Sequence, residues 1–230
     1  LVYLLPASEK KVGLQEMLDR FLRNLNLPAG AAHFAWNGMF SKEQKKALVN
    51  PEIIADFNPE DTFIALMKRY RLDNERPGLS DLMLADQNEY LLNDILVKVD
   101  RMSMAHGLEV RPLFLDSEVV SFARNFLSAD AIRGKKILRR YIKKHAGWYK
   151  FGRKQGFSIP VHRWFRSGLK EFGADLINSN FTRESGLYNL QELKKLWALH
   201  QNRQANLGFE LWGIMVTLLW YRRFFGSKMA

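Results

Sequence analysis

Asp94, Lys98 and Arg101 fall at i, i+4 and i+7, so on a helix they share one face. Asp100 adjoins Arg101 in sequence and points to another side. Such a face can present cations and a carboxylate to a small charged ligand. The same spacing equally describes a solvated surface with a single i,i+4 ion pair. The segment Leu108-Glu109-Val110-Arg111-Pro112-Leu113-Phe114-Leu115-Asp116 sets charges inside an apolar stretch, where burial is costly unless they are paired. Two readings stay open there: a buried Glu109–Arg111 pair that fixes a turn, or a site wall that offers Arg111 to an anion. Gly134-Lys135 stands at a helix start, where free N–H groups and the helix dipole favour phosphate. Gly152-Arg153-Lys154-Gln155-Gly156 puts Lys154 on a glycine-flanked loop, from which an ammonium can meet developing negative charge. The plain alternative for both lysines is a solvent-facing basic surface.

The bulk charge points the same way. The chain of 230 residues carries a formal charge of +11. Between Ala131 and Lys170 there are thirteen Lys or Arg and no Asp or Glu. A block of this kind favours anions: nucleic acid, acidic membrane or phosphorylated small molecules. With 0 cysteines, thiol nucleophiles, disulfides and thiolate metal sites are excluded, and a reducing cytoplasm fits. The histidines at 33, 106, 145, 162 and 200 show no metal-ligand spacing, so no metal site is expected. No apolar run is long enough to span a bilayer. Leu1-Val2-Tyr3-Leu4-Leu5-Pro6 lacks a basic n-region and is too short for a signal peptide, and the chain reads as entered in mid-stream.

Positioning falls to helices. Leu14, Met17, Leu18, Phe21, Leu22 and Leu25 recur at three- and four-residue steps, as do Phe63, Leu66, Met67 and Tyr70. Ser41 with Gln44 three places on predicts a capping box. Asn58-Pro59 predicts a cap and first helical position. Arg76-Pro77-Gly78 breaks an N-terminal cluster, residues 1–76, from a signature region and C-terminal helices, residues 77–230. From Ser80 to Met102 the apolar pattern supports one long helix, or two joined near Asn93-Asp94. Helices are also predicted over 118–126, 136–145, 189–201 and 210–225. No strand alternates convincingly, and the fold class is mainly α.

The charged segments, taken in order, resemble the asparagine synthetase family of glutamine-dependent amide ligases. The likeness rests on Asn93-Asp94-Ile95-Leu96-Val97-Lys98-Val99-Asp100-Arg101-Met102-Ser103-Met104-Ala105, then Leu108-Glu109-Val110-Arg111 and Phe114-Leu115-Asp116. Gly134-Lys135 with Ile137-Leu138-Arg139 follows, and then Lys154 with Gly156-Phe157 and Ile159-Pro160. Phe34-Ala35-Trp36 and Leu211-Trp212 through Phe224 extend it toward both ends. The resemblance implies the helical C-terminal portion of an adenine-nucleotide alpha-hydrolase-like (ATP pyrophosphatase) synthetase domain. The family's Ser-Gly-Gly-x-Asp-Ser pyrophosphate loop and acidic Gly-rich segment do not occur here, nor does the parallel sheet that precedes them, nor the catalytic Cys of its glutaminase.

By resemblance, the parent protein activates a carboxylate with ATP and Mg2+ as an acyl-adenylate, aspartyl-AMP by family default. Glutamine-derived ammonia then displaces AMP to give asparagine or a related amide. Lys154 matches the lysine that meets the phosphates and the developing charge. Lys135 matches a second lysine near pyrophosphate, Asp100 and Arg101 the signature helix, and Glu109 and Arg111 the signature turn. Two local departures bear on which acid is used: Pro112 comes one place early with Leu113 behind it, and Gly152-Arg153 stand where many members read Arg-Pro. The implied partner is the missing N-terminal half of the parent chain, with a homodimer left open, and neither a membrane nor nucleic acid is expected, since no helix-turn-helix, zinc-finger or arginine-rich signature appears. Alone, the chain is expected to be inactive. The alternatives are a basic helical nucleic-acid-binding module, for which Trp148-Tyr149-Lys150-Phe151 would serve, and a non-catalytic scaffold descended from the ligase.

Overall fold

The computed structural model describes residues 14–55, 61–74, 76–126, 133–152 and 159–226, and within them the chain is helical, with no β-strand. The proposed cap at Asn58-Pro59 lies outside the described residues, as does Lys154. The chain divides into two compact units, one formed by Leu1–Pro77 with Phe157–Ala230 and the other by Gly78–Gly156.

In the first unit run α1 (Leu14–Asn24), α2 (Ala29–Asn37), α3 (Lys42–Leu48), α4 (Pro51–Ala55) and α5 (Asp61–Arg69). The second unit opens with α6 (Leu79–Ala85), a π-helical stretch Asp86–Leu96 and α7 (Val97–Met104), and continues with α8 (Ser117–Phe126) and α9 (Lys136–His145). The first unit is completed by α10 (Val161–Trp164), α11 (Lys170–Asn178), α12 (Asn180–Glu184), α13 (Leu190–Gln201) and α14 (Gly208–Phe225).

The core of the first unit follows from helical spacing. On α14, Leu211, Ile214, Met215 and Leu218 recur every three or four residues and are all buried, packed with Phe165, Ile177 and Leu193. The capping box predicted at Ser41 is present: Gln44 N–H donates to Ser41 Oγ at 3.2 Å, and Ser41 N–H donates to Gln44 Oε1 at 2.8 Å. Asn189 caps α13 by accepting from the N–H groups of Gln191 and Glu192. The corner after α3 is tied to the turn before α13, since Asn189 N–H donates to Leu48 O at 2.8 Å and Asn50 Nδ2 donates to Gly186 O at 2.9 Å. Gly208 opens α14 against α10, and a Cβ there would stand 2.6 Å from His162 Cα, so only glycine permits the approach.

His200 is the polar pin of this core. Fully buried on α13, it accepts from Leu207 N–H at Nδ1 (3.2 Å) and its Nε2 lies 3.0 Å from His162 O. A carbonyl can only accept, so Nε2 carries the proton and the ring is neutral. Arg166 braces the same corner, its Nε donating to His200 O at 2.9 Å. Burial, and then the nearby Arg166 charge, lower the His200 pKa from 6.5 to about 4. Because the folded pKa is depressed for a base, the contribution to stability is complete above pH 6.5 and is lost as the unfolded chain alone takes up the proton between 6.5 and about 4. The full loss is roughly 3 kcal/mol. Urea melts across that interval should show this decline in the natural chain and a shallower one in His200→Gln, measured as the difference between the two.

The second unit is built differently. The run from Leu79 to Met104 is one continuous helical rod, widened to π geometry over Asp86–Leu96 and tightened again at Val97. Asn93 Nδ2 donates to Asn88 O, five residues back, and Asn88 Nδ2 donates to Leu84 O. Ala85 is the one buried residue among the described residues of Gly78–Gly156. Leu113 is 80% exposed, Phe114 67% and Met102 66%.

Candidate functional site

The charged residues singled out above are carried by the rod and by the turn that ends it. Lys98 Nζ donates to Asp94 Oδ2 at 2.8 Å, the i,i+4 pair that the spacing predicts, and both side chains are largely exposed. The hydrogen bond that Lys98 donates to Asp94 raises the Lys98 pKa. Asp100 and Arg101 lie on the exposed surface of α7, with Ser103 Oγ donating to the carbonyl of Asp100.

The helix then stops in a defined way. Leu108 N–H reaches back to Ser103 O at 3.0 Å, and Gly107 takes φ +66, the left-handed conformation that lets a helix C-terminus turn back on itself. Gly107 thereby delivers Glu109 and Arg111 directly beyond the signature helix. Arg111 Nε donates to Glu109 Oε1 at 2.8 Å. The pair exists, but it is not buried: the side chains are 83% and 70% exposed. Of the two readings, the buried structural pair is therefore excluded, because among the described residues of this unit only Ala85 is buried and nothing encloses the pair. Arg111 stands at the surface with a carboxylate beside it and further donors available to an anion.

Gly134 and Lys135 both adopt left-handed backbone, with φ 64 and φ 58, and Lys135 forms the N-cap of α9. Arg139 Nε donates back to Gly134 O at 3.2 Å and stiffens this turn. Lys135 is exposed. Lys154, with Gly156 and Phe157, lies outside the described residues. The structure thus joins Asp94 with Lys98 and Glu109 with Arg111, and sets Asp100, Arg101 and Lys135 on exposed surfaces of the same unit. Among the described residues no group of three or more His, Asp or Glu could hold a metal ion.

Two features had no clear signal in the sequence. The π-helical widening is set by backbone hydrogen bonding, which residue types encode weakly. Arg139 was legible as one cation in a basic block and as part of the family resemblance, not as the brace of the Lys135 turn. Gly107 supplies the left-handed turn that ends the signature helix. A Cβ there would meet nothing within 4 Å, so the cost of Gly107→Ala comes from φ alone. That cost should be about 1 kcal/mol, read as local fraying of 105–112 by hydrogen exchange with little change in the first unit.

The asparagine synthase family model matches residues 6–222 of this chain. Asparagine synthetase 1 (glutamine-hydrolyzing) of Bacillus subtilis strain 168 is 22% identical over 180 residues, which is 75% of this chain and 28% of that protein. Putative glutamine-hydrolyzing asparagine synthetases of Mycobacterium bovis and Mycobacterium tuberculosis H37Rv are each 29% identical over 140 residues, 59% of this chain and 21% of theirs. The chain therefore spans about a quarter of the length of these relatives. No solved structure matches it.

Proposed function

Because this chain belongs to the asparagine synthase family, we propose that it forms the helical, cationic wall of an ATP-dependent amide ligase whose nucleotide-binding part is not in this chain. The observation that carries the reading is the family match over nearly the whole chain, combined with the exposure of the signature residues. Asp100, Arg101, Glu109 and Arg111 lie at the surface, where a second wall can face them. The apolar side chains near them in sequence, Met102, Leu108, Leu113 and Phe114, are each more than half exposed. Surface of this kind on a soluble unit marks an interface. We assign its cover to the rest of the ligase.

In the proposed reaction a substrate carboxylate oxygen attacks the α-phosphorus of ATP. The bond to the β-phosphate breaks, and pyrophosphate leaves. Lys154 and, at one remove, Lys135 offset the charge that accumulates on the phosphate oxygens. Such preorganised cations are worth several kcal/mol when water is excluded. Ammonia, drawn from glutamine hydrolysed elsewhere in the parent protein, then attacks the acyl carbon. AMP departs, and a proton is released. Arg111, with Glu109 beside it, is assigned to hold an anionic group of the substrate. Asp100 and Arg101 are assigned to line the pocket. The family default of aspartate as substrate, magnesium carried on the nucleotide phosphates and a cytoplasmic setting belong to this same proposal.

The test separates the chain from its parent. The 230-residue chain alone should give no ATP–pyrophosphate exchange with aspartate, and robust exchange would overturn the assignment of the nucleotide site to another segment. Within the full-length reading frame, Lys154→Ala should lower exchange by at least ~100-fold, the scale of one lost charge-stabilising donor. Glutamine hydrolysis should be unchanged. A parent protein whose exchange is insensitive to Lys154 would refute the role given to that residue.

A further inference from the structure

The ligase reading uses Lys135 and Lys154 and gives no role to the residues that lie between them in sequence. Those residues include α9 and the aromatic turn after it. Lys136, Arg140, Lys143 and Lys144 are exposed along α9, in a stretch from Ala131 to Lys170 that contains no acidic residue. Beyond the helix, Trp148 is 83% exposed, Tyr149 50% and Phe151 43%. The rings form a chain: Trp148 meets Tyr149 edge-on at 6.2 Å, and Tyr149 meets Phe151 at 5.3 Å. Arg139 places its guanidinium 5.0 Å from the Phe151 ring centroid, which couples the cationic helix to the ring chain.

Trp148, Tyr149 and Phe151 form one exposed aromatic cluster rather than a single stray ring, and it directly follows a cationic helix. Flat rings beside a row of cations are what an unpaired base and its phosphate require. We propose that α9 and the Trp148–Phe151 turn bind single-stranded nucleic acid without sequence preference, phosphates along the helix and bases on the rings. Charge complementarity selects a polyanion. The rings select one that has π-faces. On α9 the cations outnumber the exposed apolar side chains, Ile137 and Tyr141, while Leu138 and Ile142 are half-buried, so the strands are the first ligand to test and a lipid surface the second. The 10 residues of α9 span about 15 Å. At ~3.4 Å per phosphate that length accommodates about four nucleotides. This inference uses side chains to which the ligase reading assigns no role, and strand binding and ATP–pyrophosphate exchange are measured separately, so the failure of one is distinguishable from the failure of the other.

Fluorescence anisotropy of labelled twelve-nucleotide dT and rU strands with the 230-residue chain tests it, from 50 to 200 mM NaCl. With about four phosphates neutralised, log K should fall against log salt with a slope near −3. Trp148→Ala should weaken binding about tenfold or more, with an unchanged circular dichroism spectrum. Arg140→Glu combined with Lys144→Glu should make the slope shallower. Equal binding by Trp148→Ala and the natural chain would reduce the interaction to charge alone and overturn the proposal. Tighter, Trp148-dependent binding to phosphatidylserine vesicles than to the strands would overturn it in favour of a lipid surface.

Discussion

Apolar side chains have to be covered, and the two units of this chain meet that requirement unequally. In the first, Leu211, Ile214, Met215 and Leu218 of α14 close against Phe165, Ile177 and Leu193, leaving each of them 4% exposed or less. Burial of such a side chain contributes about 1.5–3 kcal/mol, and the polar pin at His200 fixes the corner where α10, α13 and α14 meet. In the second, Met102, Leu108, Leu113, Phe114 and Phe126 remain in solvent. The residues that resemble a ligase signature sit among these uncovered side chains. The chemistry proposed for them depends on whatever covers the unit, because cations stabilise developing charge far better once water is displaced.

This difference explains how the candidate residues are arranged. Asp94 with Lys98 and Glu109 with Arg111 form short ion pairs, yet both pairs are open to water, where such contacts add little stability. They are better understood as orientation. The Glu109 carboxylate holds the Arg111 guanidinium in one attitude, and the left-handed Gly107 turn sets where that attitude is presented. The rigid part of the site is backbone: the helical rod, its left-handed stop and the left-handed entry to α9.

Much of the fold was legible in the sequence, for reasons specific to each element. Strong three- and four-residue periodicity gave α1, α8, α9, α13 and α14 to within a residue or two, and Ser41 with Gln44 gave the capping box. The short helices α4, α10 and α12 left no periodic trace, because 4 or 5 residues do not complete a face. The rod between Leu79 and Met104 was read as one helix or two; its apolar positions fit neither phase fully because the π-helical stretch shifts the register midway. At the site, the spacing of Asp94 and Lys98 predicted their contact. Of the two readings open for Glu109 and Arg111, the exposed pair agrees with the site wall and not with the buried pair, since an apolar stretch around a charge implies an interior only when there is enough surrounding chain to build one.

The claim on which the rest depends is that the signature unit is an interface awaiting its cover, whereas the first unit holds its own core. Native-state hydrogen exchange on the 230-residue chain tests this directly. The account predicts slow, globally protected amides in α13 and α14 and fast exchange, close to local fraying, in α7, α8 and the turn at 105–112. Uniform protection across both units would contradict it, because it would show that Gly78–Gly156 is stable without a partner.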